Sequence, residues 1–157
     1  MSHIDAPQPP AARELVDAAA TRALGRQLAG WLPAGALLLL QGDLGAGKTS
    51  LVQGLAQGLG IGEPITSPTF ALAQHYAGQR PEGGATTLVH LDLYRLEDPA
   101  AADELFAQEE EEAQALGAVL AVEWPERLSI RPEPCWRVEL TFAGEGRRAR
   151  IWGLAGG

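Results

Sequence analysis

The stretch GDLGAGKTS, residues 42–50, decides the fold of this chain. It matches the pattern G-x-x-x-x-G-K-[ST] of a phosphate-binding loop, or P-loop. Gly42 lets the chain leave a strand sharply, and Gly45 and Gly47 lack a Cβ, so the backbone can curl and approach a ligand closely. Successive N–H groups then point into one concave nest beside a helix N-terminus, which predicts a polyphosphate site.

The lysine of this motif, Lys48, is the only lysine in the sequence, and all the other Lys/Arg positions are arginine. An ammonium is a compact point charge on a flexible stem, whereas a guanidinium is a wide planar fork. Lys48 is therefore predicted to reach the β- and γ-phosphates of a nucleotide. Thr49 offers a hydroxyl to Mg²⁺.

The segments on both sides of the loop fit this prediction. Residues 37–40, LLLL, form a short apolar run bounded by turn residues, which is typical of a strand buried on both faces. A helix is predicted after the loop, because apolar residues recur there at helical spacing until Gly60 and Gly62. Before the strand, all of residues 11–32 are predicted to be helical, and Pro33 ends that helix.

Further along the chain, strands are predicted over residues 70–76 and 86–96. The connection 77–85 is too short for a helical crossover, so these strands are predicted to be antiparallel. Asp98 and Pro99 predict the start of a helix that ends near Gly117.

The last part of the chain predicts a buried strand over residues 118–124 and a terminal hairpin with its turn at 144–146. Together the elements predict an α/β fold, a P-loop NTPase-like three-layer domain with a mixed, partly antiparallel β-sheet flanked by helices. The proline-rich residues 1–10 are predicted to be a flexible tail. Residues 11–157 are predicted to form a single P-loop ATPase domain.

Two acidic residues stand where a P-loop site needs a carboxylate for Mg²⁺ and its waters. Asp92 follows the apolar run LVHL, and Glu123 follows VLAV. An acid at the end of an apolar strand is hard to explain structurally unless it is exposed. Either residue could bind Mg²⁺ directly while the other orients water, and their spacing does not choose between them.

A hydroxyl-rich segment lies between the P-loop and these acids. It consists of Thr66, Ser67, Pro68, Thr69 and Phe70. Such a segment can sense a γ-phosphate and change conformation on hydrolysis, although a plain turn before a strand has the same composition. His75 and His90 are interpreted as structural strand residues. A site role is favoured slightly for His90, because it shares a strand face with Asp92.

Composition narrows the choice of ligands and partners. The chain lacks the N-K-x-D segment of guanine-specific P-loop proteins, which favours adenine. The net charge of −8 does not favour binding to DNA or tRNA by general electrostatics. The acidic run Glu109–Glu112 is interpreted as a solvated helix face, with a docking surface for a basic partner as the alternative.

Neither a membrane span of roughly 18 apolar residues nor a secretory signal is recognisable in the sequence. The single cysteine, Cys135, fits a reducing cytosol. The chain is therefore predicted to be cytoplasmic, without a membrane partner.

Four motifs, in this order and spacing, resemble the bacterial TsaE (YjeE) family. They are GDLGAGKTS, SPTFAL (67–72), HLDLYRL (90–96) and VEWPERL (122–128). Members of that family are the small ATPases of tRNA threonylcarbamoyladenosine (t6A) biosynthesis. The resemblance implies Mg²⁺-dependent ATP hydrolysis that supports the modification of adenosine-37 in tRNAs that read ANN codons. It also implies the partners TsaB and TsaD, with tRNA contacted only through them.

The same resemblance implies roles for individual residues. The nucleotide would be bound by Asp43, Leu44, Gly45, Ala46, Gly47, Lys48, Thr49, Ser50 and Asp92. Thr49 and Glu123 would ligate Mg²⁺, and Lys48, Asp92 and Glu123 would support hydrolysis. Residues 67–70 would be a switch-like loop, Trp124 would lie near the site or the partner surface, and Arg147 would approach the nucleotide. No motif fixes the adenine contacts.

Two other functions remain open from the sequence. A P-loop small-molecule kinase would need an acceptor pocket and usually an arginine-bearing lid, but Arg147, Arg148 and Arg150 lie in the hairpin pattern. A non-hydrolysing module would bind nucleotide only to sense ATP against ADP. Partner-dependent phosphate release, a phosphorylated metabolite, or binding without turnover would distinguish the three functions.

Overall fold

The computed structural model describes residues 11–66 and 72–153, so the predicted tail 1–10 and the predicted switch-like loop 67–70 lie outside the described residues. The strands are β1 (Ala11–Leu15), β2 (Leu37–Gln41), β3 (Ala73–Gln79), β4 (Ala85–Asp92), β5 (Val119–Glu123), β6 (Trp136–Ala143) and β7 (Gly146–Trp152). The helices are α1 (Ala18–Trp31), α2 (Lys48–Gly58) and α3 (Pro99–Leu116), and a short 3₁₀ turn covers Pro125–Arg127.

In the described part of the chain, the strands form one mixed sheet in the order β1-β7-β6-β2-β5-β4-β3. Its centre is parallel, because β5 pairs with β2 and β4, and β2 also pairs with β6. Its edges are antiparallel, with β3 on β4 at one side and β6, β7 and β1 at the other. The predicted mixed sheet is confirmed, including the antiparallel pair after the P-loop helix.

Helices cover both faces of the sheet, which confirms the three-layer α/β architecture. Successive residues of β2 point to opposite faces. Leu38 and Leu40 join the core under α1 and α2, whereas Leu39 joins the core under α3, together with Phe106. The P-loop thus follows a strand that is buried on both sides.

Helices α1 and α2 approach each other closely at glycine. A Cβ added to Gly54 of α2 would lie 1.9 Å from the carbonyl oxygen of Arg22, so no larger residue fits there without moving the backbone. This contact holds α2, and with it the P-loop, firmly against α1 and the sheet.

The prediction of one helix over residues 11–32 is wrong in its first part. Residues 11–15 form β1, which pairs antiparallel with β7. A sheet edge supplies backbone hydrogen bonds and packing that override a local helical pattern. Helix α1 begins only at Ala18, because the side chain of Asp17 caps it by accepting a hydrogen bond from the Ala20 backbone N–H at 2.8 Å.

The two strands that carry the predicted acids end earlier than predicted. Strand β4 ends at Asp92, whose Oδ1 accepts a hydrogen bond from the Tyr94 N–H at 2.9 Å and turns the chain. Strand β5 ends at Glu123, because Trp124 has a left-handed φ of 59°. Both acids are therefore the last residues of their strands.

Helix α3 begins at the predicted Asp98 cap and ends at Gly117, and β6 and β7 form the predicted hairpin. The interpretation of residues 109–112 as a solvated face needs one correction. Glu109 is paired with His75 of β3 at 2.8 Å, so this acid ties α3 to the sheet edge. Across residues 11–66 and 72–153, no helix combines the length and apolar character needed to cross a membrane.

Candidate functional site

The P-loop lies between the end of β2 and the start of α2. Gly47 has a φ of 108°, a left-handed conformation that a side chain would strain, and the chain passes there directly into the helix. No side chain caps α2. The N-cap residue itself therefore does not compete for the first amide groups of α2, which suits an anion site at a helix N-terminus.

Lys48 is the first residue of α2, and only 6% of it is exposed. Its Nζ donates hydrogen bonds to the carbonyl oxygens of Gly42 and Asp43 and lies 4.3 Å from the centroid of the Trp124 ring. Burial lowers the pKa of the Lys48 ammonium, and the nearby carboxylates, Glu123 foremost, oppose that shift. The charge is thus held in a partly desolvated place, where its attraction for an anion is strong.

Asp92 and Glu123 stand side by side at the carboxyl ends of β4 and β5, because they are partners in the parallel register. Glu123 is 4% exposed and Asp92 is half-buried. Burial raises the pKa of the Asp92 carboxyl; the hydrogen bond from Tyr94 N–H lowers it, and the charge of Glu123 raises it again. The sheet therefore places two carboxylates together opposite the lysine of the P-loop.

His90 lies two residues before Asp92 on the same face of β4. It is fully buried, and its Nε2 is 2.6 Å from Oε2 of Glu123. The sequence interpretation of His90 was structural, with a site role slightly favoured, and the structure shows that its ring contacts one of the two predicted acids directly.

Lys48, Asp92 and Glu123 line a single cavity of about 520 Å³. Its lining residues are Leu44, Gly45, Gly47, Lys48, Thr49, Ser50, Leu72, Asp92, Tyr94, Arg95, Glu123 and Trp124. Two of the nucleotide-binding residues implied by the resemblance do not line it. The side chain of Ala46 is buried in the core below the loop, and Asp43 is exposed and contributes its carbonyl oxygen to Lys48.

Trp124 forms an aromatic wall of this cavity. Its ring centroid is 4.8 Å from that of Tyr94, and the guanidinium of Arg127 lies 5.7 Å from each of the two rings. The left-handed backbone at Trp124 is costly for a bulky residue. It turns the chain sharply after Glu123, so that the indole covers Lys48.

A second cavity, of about 290 Å³, lies on the other side of the P-loop and shares Gly45, Gly47 and Ser50 with the first. Its other lining residues are Leu15, Asp17, Ala18, Thr21, Glu145, Gly146 and Arg147. Arg147 donates a hydrogen bond from Nη2 to the carbonyl oxygen of Gly45 at 3.0 Å. The terminal hairpin therefore touches the P-loop itself.

The donor atoms near Lys48 suit Mg²⁺. Thr49 brings a hydroxyl, and Asp92 and Glu123 bring carboxylates, all of them lining one cavity. Within the residues described, no three or more His, Cys, Asp or Glu side chains gather into a group that could hold a metal by themselves. Mg²⁺ typically keeps several waters and uses one or two carboxylates together with substrate phosphates, so an incomplete oxygen set fits that ion.

A model of the family described as "Threonylcarbamoyl adenosine biosynthesis protein TsaE" matches residues 15–150. The chain belongs to the TsaE family. Three curated relatives, each named tRNA threonylcarbamoyladenosine biosynthesis protein TsaE, illustrate the similarity. The Nostoc sp. protein is 44% identical over 134 residues, covering 85% of this chain and 80% of the relative. The Synechocystis sp. protein is 50% identical over 120 residues, covering 75% and 72%.

The third relative, from Bacillus subtilis, is 34% identical over 129 residues, which cover 82% of this chain and 75% of the relative. Among solved structures, the crystal structure of Bacillus subtilis YdiB is similar, with a TM-score of 0.66 and 27% identity. The match covers 94% of this chain and 87% of that chain. The TsaE-family chain therefore has a P-loop-like fold.

Some residues at the two cavities were not predicted from the sequence. Tyr94 and Arg95 line the larger cavity and lie inside the HLDLYRL motif, so a signal for them was present. Leu15 and Thr21 line the smaller cavity, but the pattern there indicated only a helix. The predicted switch residues Ser67 to Phe70 lie outside the described part of the chain.

Proposed function

We propose that this TsaE-family chain is a P-loop ATPase that binds and hydrolyses Mg-ATP in support of the t6A modification of tRNA. The observation that carries the proposal is the meeting of Lys48 with Asp92 and Glu123 around one cavity, beside the uncapped start of α2. Phosphoryl transfer uses a cation and backbone amide groups to bind phosphate, and it uses carboxylates on the opposite side of the site to hold a metal ion.

In this proposal Lys48 exchanges its hydrogen bonds to the loop carbonyls for bonds to the β- and γ-phosphates. Thr49 and Glu123 hold Mg²⁺, and Asp92, on the neighbouring strand, orients water. Bound Mg²⁺ would neutralise the charge that develops on the phosphate oxygens. The aromatic wall at Trp124 limits the water around Lys48, which strengthens each charge interaction inside the cavity.

The smaller cavity is proposed to take the adenosine end of the nucleotide. It is continuous with the phosphate loop through Gly45, Gly47 and Ser50, and Leu15 and Thr21 offer it an apolar surface and a hydroxyl. Arg147, held against the Gly45 carbonyl oxygen, would stand where the two cavities meet. This arrangement supports one elongated ligand, bound across the loop from the metal ion to the base.

The proposed partners are TsaB and TsaD, and the proposed compartment is the cytoplasm. The net charge of −8 supports a division of labour in which the partners hold the tRNA and this chain runs the nucleotide cycle. Three arginines, Arg26, Arg131 and Arg148, each engage a Gln or Glu side chain, so these side chains are already paired within the chain.

The decisive experiment measures phosphate release from Mg-ATP by the purified chain, alone and with purified TsaB and TsaD. Slow release alone, stimulation by the partners and loss in Lys48→Ala are expected. If TsaB and TsaD do not change the rate of phosphate release, ATP hydrolysis by this chain is not coupled to the t6A complex. A phosphorylated metabolite would indicate a kinase, and binding without turnover under every condition would indicate a nucleotide sensor.

A further inference from the structure

We infer that His90 is a positioning residue that holds the Glu123 carboxylate in place for Mg²⁺. This inference rests on the proposed function, in which Glu123 is a metal ligand. It adds a residue that does not line the nucleotide cavity and reaches the metal site only through Glu123.

The contact itself is short and enclosed. His90 Nε2 and Glu123 Oε2 are 2.6 Å apart, with the histidine side chain 0% and the glutamate side chain 5% exposed. An ionised carboxylate can only accept hydrogen bonds, so Nε2 is assigned as the protonated nitrogen. The bond occupies one lone pair of Oε2, and the carboxylate keeps further lone pairs on both oxygens for a cation.

The surroundings of His90 do not explain a histidine by packing alone. The sheet neighbours of this residue are Gln74 on β3 and Ala121 on β5. Ala121 belongs to the apolar core under α1 and α2, as does Leu88, two residues earlier on β4. An aliphatic side chain would fill this position without burying polar atoms.

The second ring nitrogen supports the same conclusion. Nδ1 of His90 is buried and has no hydrogen-bond partner among residues 11–66 and 72–153. Buried polar atoms are usually satisfied, and an exception calls for an explanation. The Glu123 contact is that explanation, because the ring gives up one hydrogen bond to secure the carboxylate with the other nitrogen.

The fold makes this geometry available through the parallel register. Asp92 and Glu123 are direct partners, and His90 pairs with Ala121, one side-chain step deeper on the same face. Because Ala121 has only a methyl group, the imidazole has room to lean toward the end of β5. His90 thus fixes the rotamer of Glu123 from below while the cavity stays open above it, as partners behind a metal ligand do.

The test compares His90→Met, which keeps the approximate volume without a donor, with His90→Gln, whose amide can place an N–H near the position of Nε2. Binding of Mn²⁺, as a paramagnetic substitute for Mg²⁺, is measured by EPR with a non-hydrolysable ATP analogue. Nucleotide affinity without metal is measured in parallel. His75→Met serves as the matched control, because His75 also pairs with a glutamate, Glu109, away from the cavity.

For His90→Met we expect about tenfold weaker Mn²⁺ binding, with metal-free nucleotide affinity within about twofold of the original chain. His90→Gln should recover most of the loss, and His75→Met should bind Mn²⁺ normally. Folded His90→Met with unchanged Mn²⁺ binding would overturn the inference. Equal loss of Mn²⁺ and metal-free nucleotide binding in both His90 variants would also overturn it, because that result describes a structural residue.

If His90→Met does not fold, His90→Gln is compared with His90→Asn, whose shorter amide does not reach Glu123. Weaker Mn²⁺ binding by the Asn variant supports the inference, and equal binding by the two overturns it. Absence of Mn²⁺ binding by the original chain with the nucleotide analogue would be a different result. That result would contradict the proposed function, and it would therefore also contradict the role of His90.

Discussion

The two sides of the P-loop are built in different ways. One side, the acidic wall, consists of Asp92, Glu123 and Trp124 at the ends of neighbouring parallel strands. The other side, the arginine wall, consists of Leu15, Thr21 and Arg147. The pairing of β1 with β7 places Leu15 opposite Arg147, and Thr21 comes from the helix that follows β1. The acidic wall carries two carboxylates, which suit the proposed metal ion, and the arginine wall carries a cation, a hydroxyl and apolar surface.

This difference predicts that the two walls contribute to different steps of nucleotide binding and hydrolysis. Substitutions in the acidic wall should change steps that depend on Mg²⁺, whereas substitutions in the arginine wall should change nucleotide affinity whether or not metal is present. Lys48 lies between the walls and touches the loop that both share. It should therefore affect both kinds of measurement.

The largest effect is expected for Lys48→Ala. Triphosphate affinity should fall at least about 100-fold, because charge-assisted bonds to phosphate are lost in a partly desolvated site. The free energy of unfolding should change by much less than the roughly 2.8 kcal/mol that this factor represents. Titration calorimetry with ATP and denaturant unfolding, performed on the same preparations, check both quantities.

Lys48→Arg is the informative control for this variant. It keeps the charge but replaces a compact ammonium by a planar fork at a residue that is 6% exposed. We expect it to recover little of the lost affinity. Full recovery would mean that charge alone matters at this position, and the explanation for the single lysine would be wrong.

The next effect is expected for Glu123→Gln in the acidic wall. Mg²⁺-dependent turnover should fall on the order of 100-fold, because the amide is a poor ligand for the ion. Nucleotide affinity without metal should stay within about twofold of that of the original chain. The measurements are turnover of Mg-ATP and nucleotide affinity with and without Mg²⁺. Glu126→Gln is the control, since Glu126 also acts on the charge of Lys48 but lies outside the cavity lining. If turnover is the same in Glu123→Gln and Glu126→Gln, Glu123 has no special role in the site.

The acidic wall could be predicted from the sequence because its parts are local. Each acid follows its own apolar run, and parallel strands end at one edge of a sheet, so LVHLD and VLAVE suffice to bring Asp92 and Glu123 together. The same reasoning predicted the mixed sheet and the hairpin at its end. The contact of His90 with Glu123 could not be predicted, because it depends on side-chain reach across the sheet, which a strand pattern does not encode.

In the arginine wall only Arg147 was named from the sequence, through the family resemblance; the rest could not be predicted, because it depends on pairing between opposite ends of the chain. Residues 11–15 have the composition of a helix start, and only the exposed edge of β7 turns them into a strand. Leu15 then lies opposite Arg147 in the register. The adenine contacts proposed here involve this wall, and no local motif indicates an edge strand that comes from a distant part of the chain.

A smaller effect is expected for Arg147→Ala in the arginine wall. Affinity for ATP and for ADP should fall by about three- to tenfold, because the guanidinium is partly exposed and its bond to the Gly45 carbonyl is lost. The loss should be the same with and without Mg²⁺, which is measured by fluorescent-nucleotide titration. Arg148→Ala is the matched control, because Arg148 pairs with Glu14 at 2.7 Å and lies outside both cavities. A loss confined to the Mg²⁺ complex would contradict the separation of the two walls.

The smallest change is expected in the stability of Asp92→Asn. Burial raises the pKa of Asp92 from 3.8, so the folded state binds this proton more tightly than the unfolded state. The original chain therefore loses stability as the pH rises from 3.8 through the raised folded-state pKa, and asparagine removes that cost while still accepting the Tyr94 hydrogen bond. Because Asp92 is only partly buried and solvent screens its charge, the variant should gain only about 1–3 °C in Tm at pH 7.

Thermal unfolding at pH 4 and pH 7 measures this gain, which should be smaller at pH 4, and turnover should fall in the same variant. Asp98→Asn is the control, because Asp98 caps α3 on the surface and asparagine caps a helix equally well. A variant that is less stable at pH 7 than the original chain would show that the ionised Asp92 stabilises the fold. The acidic wall would then be an ion network that stabilises the fold. The idea that its carboxylates lower stability in return for binding a metal ion would be wrong.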